Sequence, residues 1–196
     1  EFDLPLKHPF TIARGTITTQ PTLIVELKQD GKSGFGEATI NTFYASSMLQ
    51  MKERFKQMQT EVSCFSLGDP SEFWSLCNKH LNDEPFMLSA LDCAAHDLWG
   101  KLEDSPVHQL WGLDLTNAVF SSFTIGIDAI ETMRAKLKEE PGWPVYKIKL
   151  GTREDAQIIQ TLRQDTEALF RVDANCGWKV DEAIALSSEL SRQGVE

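Results

Sequence analysis

From about Leu115 onward the chain repeats one pattern: a short apolar run, a few polar residues, then an amphipathic stretch of helical period. Strands are expected at Ala118–Ile125, Val145–Leu150 and Leu169–Asp173. Helices are expected at Ala129–Glu139, Arg153–Leu162 and Val180–Gln193, the last closed by Gly194. Strand alternating with helix across short loops is the signature of a parallel sheet covered by helices. Asp128 with Glu131, and Thr152 with Asp155, have the spacing of capping pairs that start two of those helices.

The earlier residues obey a different grammar. Phe2–Ile12 reads as a strand whose Pro5 and Pro9 suit a sheet edge. Thr22–Lys28 and Ser33–Ala38 read as two further strands around an Asp30-Gly31 hairpin turn. Ala13–Gln20 (ARGTITTQ) and Thr39–Tyr44 are expected to be polar loops. Helices follow at Ser46–Gln59, Pro70 to about Leu81, and Phe86–Lys101, where Leu88, Leu91, Ala95 and Leu98 make one apolar stripe. His96 and Asp92 in the third helix read as packing or hydrogen-bonding groups. Pro106, Trp111 and Gly112 mark a short helix and a boundary, giving an α+β domain over residues 1–113 and a (β/α) domain over 114–196.

Charge and composition narrow the partners. A formal net charge of −10 without a basic block argues against nucleic acid. No apolar run approaches the ~20 residues of a membrane span. Cys64, Cys77, Cys93 and Cys176 form no CxxC pair, so reduced thiols in a cytoplasmic protein are expected, and the scattered His8, His80, His96 and His108 argue against a histidine-built metal site.

The chemistry concentrates in YKIKLG, Tyr146–Gly151. A strand sends alternate side chains to opposite faces, so Val145, Lys147 and Lys149 share one face and Tyr146, Ile148 and Leu150 the other. Two ammonium groups one pleat apart disfavour each other's protonation, which suits one of them to act as a base. A half-exposed strand with two solvated lysines is the plainer alternative. Thr124, Lys149 and Asp173 close successive strands, 25 and then 24 residues apart. In a (β/α)₈ barrel the working residues stand at such strand ends. Asp173, with Asn175 and Gly177 in DANCGW, is either an ion-pair partner of the lysines or one ligand of a hard cation such as Mg²⁺. One more period passes Glu196, so the chain reads as the N-terminal portion of a longer protein carrying a truncated barrel of three strands.

KIKLG followed one repeat later by DANCGW resembles the enolase superfamily, in its muconate-lactonizing-enzyme-like subgroup. PFTIARG and GFGEATINTFY resemble the two loops of that family's capping domain, and SALDCAAHDLWGKLEDSPVHQLWG resembles the helices leading into its barrel. SSFTIGID is similar to the dipeptide epimerases of the Ala-Glu type. The resemblance implies a Mg²⁺-dependent isomerase that moves the proton on the carbon next to a carboxylate, through an enediolate. It implies Lys149 as the base, Lys147 beside it touching the substrate carboxylate, Asp173 as a metal ligand and Asn175 as a residue holding a lysine. Thr124 would line the pocket, and Arg14 would meet an acidic side chain of the substrate. The remaining metal ligands and the opposite lysine would lie beyond residue 196. A dipeptide substrate and a homo-oligomer are expected. Three other reactions share the K-x-K pair: N-acylamino acid racemisation, o-succinylbenzoate synthesis and cycloisomerisation. A non-catalytic relative serving as a binding or assembly module is the alternative of another class, and the isolated chain is expected to aggregate through open sheet edges.

Overall fold

The computed structural model describes residues 1–196. The chain forms two compact units, one of Glu1–Pro5 with Thr19–Ala118 and one of Leu6–Thr18 with Val119–Glu196. The N-terminal hairpin is therefore divided, its tip belonging to the second unit.

β1 (Phe2–Ile12), β2 (Gly15–Gln29) and β3 (Lys32–Thr39) form a sheet in that order, with Leu6–Thr18 of the first two strands belonging to the second unit. β2 and β3 pair antiparallel from Thr22 opposite Thr39 to Gln29 opposite Lys32. Asp30 (φ 52°) and Gly31 (φ 75°) turn the hairpin, as a two-residue connection with both φ positive requires. Residues 15–20 belong to β2 and not to a loop. Their threonines and isoleucine suit a strand, and Thr16 Oγ1 meets Thr11 Oγ1 of β1 at 2.9 Å. Thr42–Tyr44 forms a 3-10 turn whose Phe43 N–H is capped by Asn41 Oδ1.

Helices α1 (Met48–Cys64), α2 (Pro70–Leu81), α3 (Pro85–Leu102) and the short α4 (Val107–Leu110) follow. Asp69 caps α2 by accepting from Ser71 N at 2.8 Å, with Pro70 in the first turn. Helix α3 lies directly on β3. A Cβ added at Gly36 would stand 1.9 Å from Ala90 O, and one at Gly34 would stand 2.3 Å from Ala94 O. Glycine on the strand facing alanine on the helix is what permits this approach. Met51, Met58, Phe73, Cys77, Leu81, Met87, Leu91 and Leu98 fill the core around them. Burial, helped by the Asp92 charge, pushes the Cys77 thiol up to about 12. All four cysteines are free, and no helix is long and apolar enough to cross a membrane.

In the second unit β4 (Phe123–Ile125), β5 (Val145–Lys149) and β6 (Leu169–Asp173) form a parallel sheet in that order. Helices α5 (Ile130–Glu139), α6 (Asp155–Arg163) and α7 (Val180–Arg192) follow the three strands in turn. β4 is shorter than the expected 118–125, because Leu115–Asn117 is a 3-10 turn and residues 118–122 join no ladder. Ile125, Tyr146, Ile148, Leu150 and Phe170 pack against Met133, Leu137, Ile158, Ile159 and Leu162. The Arg163 guanidinium lies 3.9 Å from the Phe170 ring centre and donates to the carbonyls of Thr166, Ala168, Gln193 and Gly194. It thereby pins the C-terminal ends of α6 and α7 to the segment entering β6.

Two helix starts differ from the expected capping pairs. Asp128 does not cap α5 from a distance of three residues. Its Oδ1 accepts from the adjacent Ala129 N, and its Oδ2 pairs with Lys136 Nζ at 2.9 Å. In α6 the roles reverse: Asp155, inside the helix, accepts from Thr152. The charge of Lys136, buried on α5, draws Asp128 out of the capping geometry.

Candidate active site

Period-two alternation in β5 sends Tyr146 and Ile148 into the core and Lys147 and Lys149 to the opposite face, and in β6 it sends Phe170 inward and Asp173 outward. Lys149 stands directly beside Asp173 in the parallel register. Lys149 Nζ donates to Asp173 Oδ2 at 2.8 Å, and Lys147 Nζ lies 3.0 Å from the same oxygen. Asp173 Oδ1 accepts from Asn175 N at 2.9 Å. One carboxylate thus sits between two ammonium groups and offsets their mutual repulsion, the ion pair that the sequence offers as one reading of Asp173. Partial burial alone would raise the Asp173 carboxyl. Hydrogen bonds from Lys149, Lys147 and the Asn175 N–H outweigh it and hold the group well below the usual carboxylate range.

The lysines differ in access. The Lys149 side chain is 9% exposed and that of Lys147 38%. The tip of the β1–β2 hairpin accounts for the difference. Phe10 places its ring centre 5.9 Å from Lys149 Nζ, and Thr11 O accepts from Ile127 N at 2.9 Å. A Cβ added at Gly151 or Gly177 would meet Ala13 Cβ at 2.7 or 2.8 Å. The glycines of KIKLG and DANCGW therefore make room for Ala13, and the tip rests over the ends of β5 and β6. Arg14 follows Ala13 in that turn and is exposed. Phe10 and Ala13 carry no mark of this role in the sequence alone. Their signal, an aromatic followed by a small residue just before a turn, gains meaning only once the strand ends they touch are known.

Lys149 and Asp173 close β5 and β6, and Thr124 stands one residue before the end of β4, where it pairs with Lys147, which pairs with Arg171. Thr124 therefore lies one pleat below the level of Lys149 and Asp173, on the same face of the sheet. Asn175 does not hold a lysine through its side chain. Its residue adopts φ 46°, its N–H turns to Asp173, and its buried Oδ1 has no hydrogen-bond partner.

No group of three or more His, Cys, Asp or Glu stands together to hold a metal ion. Asp173 is the single carboxylate of the cluster, so these residues fit one corner of a hard-cation site, and Asn175, two residues on, keeps a buried Oδ1 without a hydrogen-bond partner.

The sequence has relatives. It is 43% identical over 196 residues to an L-Ala-D/L-amino acid epimerase of Flavobacterium johnsoniae, covering 100% of this chain and 58% of that protein. It is 44% identical over 197 residues to a protein of the same name from Maribacter, again over 58% of its length. The fold superposes with a TM-score of 0.85 on the dipeptide epimerase of Enterococcus faecalis V583 complexed with Mg and L-Leu-L-Tyr. That match is 28% identical and covers 100% of this chain and 57% of that one. The chain thus spans a little over half the length of the proteins it resembles. Residues 2–112 match the family model of the mandelate racemase / muconate lactonizing enzyme N-terminal domain. On that match the chain belongs to the mandelate racemase / muconate lactonizing enzyme family.

Proposed function

We propose that this chain is part of a Mg²⁺-dependent dipeptide epimerase, an isomerase that inverts the carbon next to a carboxylate by removing and returning its proton. Residues 1–113 would be its capping domain and 114–196 the first three strands of its (β/α) barrel, in a cytoplasmic homo-oligomer. The observation that supports this most is that Lys147 Nζ and Lys149 Nζ both lie within 3.0 Å of Asp173 Oδ2, toward the C-terminal ends of parallel strands. Nothing in the packing of a sheet calls for two amines and a carboxylate there, since burying charge is costly. The names of the relatives point to the same chemistry.

In this reading Lys149, the sheltered amine, is the base on one face of the substrate. Lys147, the more open amine, is placed to meet the substrate carboxylate. Asp173 holds both lysines and offers one ligand to Mg²⁺, which when bound stabilises the negative charge that develops on the substrate carboxylate. Asn175 supports Asp173 through its backbone N–H. Thr124 lines the same face of the sheet, and Arg14, on the hairpin tip, is placed to meet a substrate side chain.

Epimerisation of a dipeptide panel by the full-length protein, with and without Mg²⁺, tests the reading. L-Ala-L-Glu and L-Ala dipeptides of other residues are the expected substrates, with activity lost on chelation. N-acetyl and N-succinyl amino acids belong in the same panel. Turnover of those and of no dipeptide would replace the epimerase reading with N-acylamino acid racemisation.

A further inference from the structure

Asp155 is 1% exposed, and all four of its hydrogen-bond donors are neutral groups. Oδ1 accepts from Thr152 N at 2.9 Å and from Thr152 Oγ1 at 2.7 Å. Oδ2 accepts from Gly151 N at 2.9 Å and from Trp178 Nε1 at 2.6 Å. Gly151 and Thr152 form the loop that leaves Lys149, whereas Trp178 closes the loop that leaves Asp173. A carboxylate that only organised the start of α6 would need the first three bonds and could stand in water. Burying it and giving it the indole N–H of another loop serves a second purpose, because a buried charge is retained only where its hydrogen bonds are complete. The two loops also meet directly: Leu150 N donates to Asp173 O at 3.0 Å, and a Cβ at Gly177 would stand 2.9 Å from Gly151 Cα.

We infer that Asp155 and Trp178 form a clamp between the β5 and β6 loops that holds Lys149 opposite Asp173, which makes both of them positioning residues for proton abstraction. The inference rests on the proposed roles of Lys149 and Asp173. Neither Asp155 nor Trp178 lies in the lysine–aspartate cluster. Their effect passes through the two loops, and a displacement of about 1 Å in a reacting group is enough to cost on the order of 10²-fold in rate.

Trp178→Phe in the full-length enzyme removes one N–H and keeps the aromatic bulk, so it tests the clamp even where Asp155→Asn does not fold. The expected result is a kcat roughly 10- to 100-fold lower with KM within about threefold, together with a larger α-deuterium isotope effect on kcat as proton abstraction becomes rate-limiting. Asp155→Asn should lose at least as much, and the double variant no more than Asp155→Asn alone. A purely structural role would lower the folded fraction and leave the isotope effect where it was; that outcome, or an unchanged kcat, overturns the clamp. Lys149→Ala is run beside them. If it keeps its activity, the reading of the site fails and the clamp with it. If it is inactive while Trp178→Phe is normal, the clamp alone fails.

Discussion

The two units of this chain fill their interiors differently. The first buries methionine, leucine, alanine and phenylalanine, and its only buried polar side chains are Thr22, Ser46 and Glu84. The second has a comparable apolar cluster but also buries Lys136, Lys149 and Asp155. Each of these three is held by a specific partner at or just beyond a strand end: Lys136 by Asp128, Lys149 by Asp173, Asp155 by Trp178 and the loop after β5. Changes of volume in the first unit should therefore cost stability, and a change of charge at Lys149 in the second should cost activity.

The largest contrast is expected at Lys149. Lys149→Met in the full-length protein should lower turnover roughly 10³-fold, as loss of a general base does. Its stability should change by less than about 1 kcal/mol, because Asp173 keeps Lys147 and a methionine fills the space of a partly buried ion pair without its desolvation cost. Turnover and urea midpoints measured on the same preparation decide this. A fall in stability as large as a core mutation would erase the distinction between the units.

Gly36→Ala is the reverse experiment. The added methyl would overlap Ala90 O, so helix α3 must move off β3, with an expected loss of about 3 kcal/mol or more. Molecules that remain folded should keep normal catalytic constants. Arg163→Met comes next, at about 2 kcal/mol, because the partly buried carbonyls it serves lose their donor. Chemical denaturation measures both.

The smallest effect is electrostatic. Arg134 and Lys138 hold the Asp165 carboxyl down at about 2, below the ordinary value of 3.8. A carboxyl depressed in the folded state adds stability above its unfolded pKa and loses it as pH falls through the folded one. The Arg134–Asp165 pair should thus be fully present above about pH 4 and fade toward pH 2. Asp165→Asn should flatten that part of a melting-temperature profile and leave the neutral part nearly unchanged.

Much of the second unit was legible because strand alternation is a short-range rule. It put Lys147 and Lys149 on one face and Asp173 at the end of the next strand, where the fold holds them. The mirror-image turn at Asp30-Gly31 and the proline start of α2 were legible for the same reason. Relations between strands were not. Counting residues from Thr124 to Lys149 measured loop and helix lengths, whereas the register depends on how the strands stagger, and it pairs Thr124 with Lys147. Residues 15–20 looked like a loop because they are polar, but a β-ribbon with a solvated face needs no apolar residues on that side. Phe10 and Trp178 act across loops distant in sequence, and the capping spacing that marks Asp155 at the start of α6 says nothing of its bond to Trp178.

Lys149, sheltered beneath the hairpin tip and hydrogen-bonded to Asp173, is proposed as the base of one substrate face. Exchange of the dipeptide α-proton in D₂O tests this more directly than turnover, because exchange from the epimer whose hydrogen faces Lys149 requires no second base. The full-length protein should exchange that epimer, and Lys149→Ala should lose the exchange by roughly 10³-fold while still melting cooperatively. Exchange by folded Lys149→Ala at the rate of the unaltered protein would contradict the account.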